Sequence, residues 1–420
     1  MIRLPPLLAA LLFFSCASMP EGLLPRDIPA DVAGMVHAGR TKSPEEYALL
    51  DDLGVTWMLT TFYWSGIEPA DDQWDFASYD AYVDAAKAAG KKVLGVLGYD
   101  VPWIHADGKS RYYVPPDKRP YFLDYVRTTA AHFRGRVDAW CVWNEPNFSF
   151  WSGPEREFFP LAREASQAVR EADPGVILLG GAFNRGVFGL PKRFIRGLFE
   201  SGAMEQADAA AFHPYELNPQ RAAKLYDEFR RTADAYGFGG RIWITEMGYP
   251  TGGWYPTAVS EKRFPASVIK TFVLLAVRGP RTIFWYQLFD PEKREWGNSE
   301  DFFGLVRSAG DYRSKAAEAY KLCARYLAGT RYDPAKPLRN GLPRSLHSFY
   351  FEGDETHVLV LWNEGLFPQT ARISLPGTGH TRRDPVSGAA VPIRPETTLK
   401  VGAKPVFITW QGGGEARISR

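Results

Sequence analysis

Short apolar runs alternate with helical patterns along the first three quarters of the chain. Eight runs, from "VAGMVH" at residues 32–37 to "TIFWYQLFD" at 282–290, are apolar at successive positions rather than at every second one. The segments between them have helical periodicity, and several, such as "SPEEYALLDDLG", begin with Ser or Pro and end in Gly, as helix start and stop signals predict. Apolar runs of this kind, alternating with helices, indicate a parallel sheet covered by helices on both faces.

The number of units narrows the fold class. Eight strand–helix units between residues 32 and 290 predict an α/β fold of the closed (β/α)8 type, a TIM barrel, to which we assign residues 28–332. The alternative is a doubly wound open sheet. That fold predicts a Gly-rich phosphate loop after the first strand, and "HAGRTKS" at 37–43 lacks the pattern.

After the last predicted helix the pattern changes to period two. "SLHSFYFEGDETHVLVLWNEG" at residues 345–365 alternates apolar and polar positions between Gly and Asp turns, which is typical of antiparallel strands. Residues 333–420 are therefore predicted to form a small C-terminal antiparallel β-sandwich.

The N-terminus, "MIRLPPLLAALLFFSCASMPEG", has a basic start, a short apolar stretch and small residues around Cys16. This pattern predicts an export signal over residues 1–20. "FFSC" resembles a bacterial lipobox, which implies a lipid on Cys16 and a cell-envelope lipoprotein. Ordinary cleavage after Ala17, giving a secreted protein, is the alternative. No later run is long enough to span a bilayer, so membrane contact is expected only through the lipid.

Charge and composition exclude several classes of partner. The chain has 50 Lys and Arg against 48 Asp and Glu, and a net charge of +2 favours no nucleic acid. The seven His are scattered without close pairs, so we expect no metal site and no cofactor. Aromatic residues make up 14% of the chain, and many of the 13 Trp lie outside the periodic runs, which favours a ligand with flat apolar faces.

Two glutamates end apolar runs: Glu145 in "WNEPN" and Glu246 in "WITEMGY". Active sites of these barrels lie at the carboxyl ends of the strands, so both side chains are predicted to reach one mouth. A pair of facing carboxyl groups can cleave a glycosidic bond, one as acid and one as nucleophile. A near copy, "LWNEG" with Glu364, precedes Gly in the β-rich region and is predicted to be a turn.

The two motifs carry a family resemblance. "WNEPN" and "TEMGYP" resemble the acid/base and nucleophile motifs of clan A retaining glycoside hydrolases, nearest to families 39 and 5. The likeness covers about residues 30–330 and includes the passage at 64–97. It implies hydrolysis of O-glycosidic bonds, β-linked, in an oligo- or polysaccharide through a covalent glycosyl-enzyme. A non-catalytic carbohydrate-binding lipoprotein on the same scaffold, and a transglycosylase, stay open.

The resemblance also implies roles for individual residues. Glu145 would be the acid/base and Glu246 the nucleophile, and Asn144 would contact the sugar 2-hydroxyl. "FHPY" is similar to the clan's His-x-Tyr element, so Tyr215 would donate to Glu246 and His213 would line the same wall. Trp285 would form the floor of the sugar subsite. Where many members carry Arg at the end of the second strand, this chain has "TTFYW".

Several further side chains follow strand ends and are predicted to rim the mouth. Sugar rings present flat C–H faces that stack on aromatic side chains, so loop aromatics are candidate subsites. The candidates are Trp64, Trp103, Trp151, Trp254 and Tyr255, with His37 as a polar contact after the first strand.

Overall fold

The computed structural model describes residues 23–36, 43–185, 189–254 and 258–420. The predicted export signal with Cys16, and the candidates His37 and Tyr255, lie outside the described residues.

Eight parallel strands close into a barrel, one within each of the eight apolar runs. The predicted fold class is therefore confirmed. The barrel strands are β2 (Ala33–Val36), β3 (Trp57–Tyr63), β4 (Lys92–Gly98), β5 (Ala139–Val142), β6 (Ile177–Asn184), β7 (Ala209–His213), β8 (Arg241–Met247) and β9 (Ile283–Trp285).

Helices connect the strands and cover the barrel. Ser43 caps the first: its Oγ accepts from Glu46 N at 3.2 Å while Glu46 Oε2 accepts from Ser43 N at 3.3 Å, a reciprocal capping box. The helices are α1 (Pro44–Asp52), α2 (Trp64–Ile67), α3 (Ala77–Ala88), α4 (Arg119–His132), α5 (Glu155–Ala172), α6 (Lys192–Glu200), α7 (Pro219–Ala235), α8 (Phe264–Ala276) and α9 (Ala317–Tyr326). No helix within the described ranges is both long and apolar enough to cross a bilayer.

Large aromatic side chains fill the interior of the barrel near the amino ends of its strands. Trp57 begins β3 and meets Trp243 of β8 edge to face at 4.9 Å, and Phe284 of β9 packs on Trp243. This end is therefore closed by packing. Polar side chains of the site collect at the opposite, carboxyl end.

The C-terminal region forms two stacked sheets, as expected of a β-sandwich. The first, seven-stranded, sheet contains β1 (Arg26–Asp27), β12 (Arg331–Tyr332), β14 (Leu346–Glu352), β15 (Thr356–Asn363), β20 (Val406–Gln411), β17 (Thr378–Arg383) and β18 (Ala390–Pro392). The second contains β13 (Leu338–Asn340), β21 (Arg417–Ser419), β16 (Gln369–Ser374) and β19 (Glu396–Val401). Between barrel and sandwich, β10 (Val306–Ser308) and β11 (Asp311–Ser314) form a hairpin.

The central strands β14, β15 and β20 of the seven-stranded sheet are buried on both faces. On β14 and β15, Tyr350 and Leu359 face the second sheet, whereas Phe349, Val360 and Trp362 belong to the same apolar cluster as the barrel helices. Because side chains of a strand alternate between faces, one sheet can contribute to both cores. The sandwich therefore packs directly on the barrel.

Candidate active site

The backbone after β5 aims Glu145 into the barrel mouth. Trp143 has φ 67° and Glu145 has φ 45°, a left-handed conformation that non-glycine residues adopt at a cost. Glu145 N donates to Ala182 O of β6 at 3.0 Å, which fixes the turn against the next strand. Residues in this conformation persist where the surrounding structure determines them, and they concentrate at functional sites.

A bulge in β8 brings Glu246 to the same mouth. Ile242 and Ile244 face the helices, and strict alternation would send Glu246 the same way. The pairing of β8 with β9 shifts register between Ile244 and Met247, and such bulges redirect side chains. Gly248 follows, and a Cβ there would lie 2.0 Å from the Tyr286 carbonyl oxygen, so glycine is required.

The two acids meet around a histidine. Single side-chain atoms of Glu145, His213 and Glu246 all lie within 4.8 Å of one another. The buried His213 ring lies between the two acids, with Nδ1 2.7 Å from Glu145 Oε1 and 3.6 Å from Glu246 Oε2. Its Nε2 lies 2.9 Å from Thr245 Oγ1. The structure thus brings together three residues predicted from separate apolar runs.

Two more side chains orient the acids. Tyr215 OH donates to Glu246 Oε2 at 3.0 Å, and Asn184 Nδ2 donates to Glu145 Oε1 at 2.8 Å. Asn147 holds Asn184 in place by accepting from its backbone N and donating to its carbonyl, both at 2.9 Å. Asn184 was not among the residues predicted from the sequence. The signal was present, because Asn184 ends the fifth apolar run as the acids end theirs.

Asn144, the predicted 2-hydroxyl contact, is half-buried directly before Glu145 and hydrogen-bonds Tyr99, the first residue after β4. Its side chain is therefore held at the mouth from a neighbouring strand.

Burial changes the titration of this cluster. It raises the pKa of Glu246 to about 7, with a further increase from the charges of Glu145 and Glu300 and an opposing decrease from His213 and the Tyr215 hydrogen bond. Burial alone would lower the pKa of His213, but the two neighbouring carboxylates raise it overall. Groups this close exchange protons as one coupled set.

The same three residues could hold a metal ion by distance alone. Both ring nitrogens of His213 already have partners, Nδ1 with Glu145 Oε1 and Nε2 with Thr245 Oγ1. The arrangement fits acid–base and nucleophilic chemistry better than coordination.

A cavity of about 540 Å³ opens at the carboxyl ends of β3 and β9. Neither acid lines it, but the ring of its wall residue Tyr286 lies 6.5 Å from the ring of Tyr215, the donor to Glu246. Tyr286 forms part of its wall and donates to Glu300 Oε2 at 2.8 Å. Desolvation raises the pKa of Glu300, although part of the side chain stays exposed. The described lining contains four acidic residues and no Lys or Arg; the acids are Asp290, Glu292, Glu300 and Asp301.

The prediction that Trp285 forms the floor of the sugar subsite is wrong. Its side chain is fully buried and packs against Tyr249 and Phe264, on the helix side of β9. The next residue, Tyr286, points to the cavity instead. Periodicity identified the correct strand end but not which of two adjacent aromatic residues faces the mouth.

The predicted subsites at Trp64 and Trp151 are also wrong. Trp64 is fully buried, stacks on Tyr125 and donates to Glu68 Oε2 at 2.6 Å. Trp151 is 6% exposed and packs edge to face on Trp143. Both tryptophan rings pack against other aromatic side chains in the interior and do not face solvent.

The remaining aromatic candidates have different surroundings. Trp103 is partly exposed, packs edge to face against Trp64 and donates to Glu68 O at 3.1 Å; its contact with sugar stays a prediction. Trp254, after β8, is 84% exposed. Tyr63 and Tyr112, which the sequence did not single out, are exposed around the buried Tyr99.

Comparison with known proteins bears on the fold. No protein-family model matches the chain. It is similar to the endo-1,4-β-xylanase B of Thermotoga neapolitana, 26% identical over 210 residues that cover 45% of this chain and 57% of the xylanase. The chain thus matches little more than half the length of that relative.

Solved structures share the fold. A family 39 glycoside hydrolase from Bacteroides cellulosilyticus WH2 superposes with a TM-score of 0.75 at 19% identity, covering 91% of this chain and 81% of that one. A family 39 β-xylosidase from Caulobacter crescentus gives 0.64 at 17% identity, covering 95% and 98%. The resemblance to clan A glycoside hydrolases, nearest to family 39, is therefore confirmed at the level of the fold.

Proposed function

We propose that the protein is a retaining glycoside hydrolase in which Glu246 is the nucleophile and Glu145 the acid/base. The observation that supports this most directly is the approach of the two carboxyl groups, with oxygen atoms within 4.8 Å across one mouth. Retaining enzymes place their carboxyl groups about 5 to 5.5 Å apart, whereas inverting enzymes need about 6.5 to 9.5 Å to admit water between them and the sugar.

In the first step the Glu145 carboxylic acid gives its proton to the glycosidic oxygen while the Glu246 carboxylate attacks the anomeric carbon. The bond from that carbon to the leaving oxygen breaks and an ester to Glu246 forms. In the second step Glu145 takes a proton from water, the resulting hydroxide attacks the same carbon, and the ester breaks. Two inversions give net retention.

The neighbouring residues fit these roles. The Tyr215 hydrogen bond and His213 both favour the ionised form of Glu246, against the effect of burial. Asn144 lies next to the acid in sequence, where it can contact the sugar 2-hydroxyl. A carbohydrate-binding protein without activity would need neither the close pair of carboxyl groups nor the separate donor that each of them has in Asn184 and Tyr215.

We propose a neutral sugar substrate, and a xylose-based one in particular. Asp290 is paired with Lys315, but the other three acids of the cavity wall form no ion pair within the described residues, and their charge disfavours a carboxylated sugar such as a uronic acid. Xylose is suggested by the names of the similar proteins, an endo-1,4-β-xylanase and a β-xylosidase.

Azide rescue tests the mechanism. Wild type, Glu246→Ala and Glu145→Ala are assayed on aryl β-glycosides and xylan, with and without azide. We expect Glu246→Ala to form the inverted α-glycosyl azide and Glu145→Ala the retained β-glycosyl azide. Glu364→Ala serves as a matched control and should retain the activity of the wild type. If both active-site variants were as active as the wild type, the proposed catalytic roles of Glu145 and Glu246 would be wrong.

We also propose that the protein is exported and carries a lipid on Cys16, on the strength of the sequence pattern alone. Metabolic labelling with radioactive palmitate should mark the wild type and leave Cys16→Ala unlabelled. Labelling of both would contradict attachment at this residue.

A further inference from the structure

A second cavity lies at the end of the barrel away from the acids. It has a volume of about 550 Å³ and is formed by the start of β8, the loop after α8 and the C-terminal half of α7. Because Arg241 begins β8 and Glu246 lies near its carboxyl end, the two cavities open at opposite ends of the barrel.

Its charge differs from that of the rest of the chain. Five arginines and a single carboxylate line it, although the whole chain carries a net charge of only +2. The arginines are Arg26, Arg230, Arg231, Arg241 and Arg278, and the carboxylate is Asp227. Ion pairs with Asp227 and Asp234 compensate Arg278 and Arg230, so three arginines keep an uncompensated charge among the described residues. A cavity with an excess of one sign of charge concentrates ions of the opposite sign.

Three of these guanidinium groups are fixed by the fold. Arg278 Nε donates to Asp227 at 2.9 Å, and Arg230 Nη1 donates to Gly240 O at 2.8 Å. Arg26 Nη1 donates to Arg278 O. A Cβ on residue 279 would lie 2.4 Å from Arg26 Nη1, so Gly279 makes room for this head group. The cavity is thus pre-organised.

The remaining two arginines have unused charge. Arg231 and Arg241 are exposed, and neither forms an ion pair with a carboxylate in the described part of the chain. Within the described residues, Arg26 likewise donates to carbonyl groups only. Guanidinium groups bind phosphate oxygens in bidentate fashion, and several around one cavity favour a phosphate-type anion over a single carboxylate.

We propose that this arginine pocket binds a phosphate-bearing anion, supplied by the head group of an anionic phospholipid. The lipid source follows from position. Leu23 lines the pocket, and only six residues lie between it and the proposed lipid attachment at Cys16, a reach of at most about 25 Å. A lipid chain and a basic patch together anchor a protein more firmly than either one alone. The active-site mouth would then face away from the membrane.

The test uses the full chain with Cys16→Ala, so that no lipid contributes, and compares it with the same chain carrying Arg231→Gln and Arg241→Gln. Calorimetry in phosphate-free buffer measures binding of inorganic phosphate. Co-sedimentation measures binding to vesicles of phosphatidylcholine, with and without an equal part of phosphatidylglycerol. A matched control carries Arg344→Gln and Arg394→Gln, two exposed arginines of the sandwich.

We expect the pocket variant to bind phosphate at least tenfold more weakly and to lose its preference for phosphatidylglycerol, while the control binds as the parent does. Glycosidase activity should be unchanged in all three, which separates this result from failure of the proposed function. If parent and pocket variant bound phosphate equally, or if neither bound it, the proposal that this pocket binds phosphate would be wrong. Phosphate binding without a preference for phosphatidylglycerol overturns the lipid source.

Discussion

The tripeptide Trp-Asn-Glu occurs twice in the chain, at 143–145 and at 362–364, in two very different environments. The first copy follows parallel strand β5 at the barrel mouth. Two of its residues have positive φ, and its carboxylate meets Asn184 and His213 from neighbouring strands. It lies where loops converge.

The second copy ends antiparallel strand β15. Trp362 stacks on Phe349 at 4.9 Å, and Glu364 lies in the turn before β16, as predicted. The Glu364 carboxylate accepts from Lys270 Nζ of α8 at 2.9 Å and from Gln220 Nε2 of α7 at 2.5 Å. It therefore joins the sandwich to the barrel helices. The same three letters orient an acid for chemistry in one place and link two regions in the other, because the strand topology supplies different neighbours.

The largest expected difference between the two copies is in activity. Glu145→Gln should lower kcat/KM on an unactivated glycoside about 10² to 10⁴-fold, the usual contribution of a general acid. Glu364→Gln should stay within about twofold of wild type in steady-state assays, yet lose about 1 to 3 kcal/mol in urea unfolding, because Lys270 keeps its charge without a partner. Comparable activity losses in both variants would contradict the assignment.

The next effect concerns the neighbours that only the first copy has. Tyr215→Phe removes a donor to Glu246 and should lower kcat about 10 to 100-fold, the value of a hydrogen bond to a charged group. Because that bond lowers the pKa of Glu246, the acid limb of the kcat/KM profile, expected near pH 7, should move to higher pH.

Glu300→Gln should move the same limb in the opposite direction. The Glu300 charge raises the pKa of Glu246, so its removal makes the nucleophile ionise at lower pH. The profiles of the two variants are measured side by side in one buffer series. Shifts in the same direction would show that Glu246 does not control this limb.

A smaller difference is expected between two adjacent residues, Trp285 and Tyr286, of which one should affect stability and the other activity. Tyr286→Ala should lower kcat/KM about tenfold by removing a wall of the cavity, equivalent to about 1.4 kcal/mol. Trp285→Phe should leave kcat/KM unchanged and destabilise the fold by about 1 to 3 kcal/mol, since a buried ring is made smaller. Thermal unfolding and steady-state kinetics distinguish them, and the reverse pattern would restore Trp285 to the site.

The sequence was sufficient for the architecture because each barrel strand has its own apolar run, and burial on both faces is visible as a continuous run. It was also sufficient to predict that the two acids meet at one mouth, because both end such runs. It failed for Trp64, Trp151 and Trp285, since an aromatic residue after a strand can turn outward to a subsite or inward beneath a loop. The orientation of Glu246 depends on a bulge, and that of Glu145 on a left-handed backbone conformation. Neither feature produces a periodic pattern of apolar residues that could be recognised in the sequence.

The seven-stranded sheet has one further consequence. One face of this sheet packs on the helices of the barrel, and its edge strand β1 precedes the barrel in the sequence. The sandwich is therefore not an independent domain. Separating the sandwich from the barrel would expose the apolar face of the sheet on one fragment and the apolar face of the barrel helices on the other. Evolution of this chain by exchange of whole segments is accordingly constrained to move the two regions together.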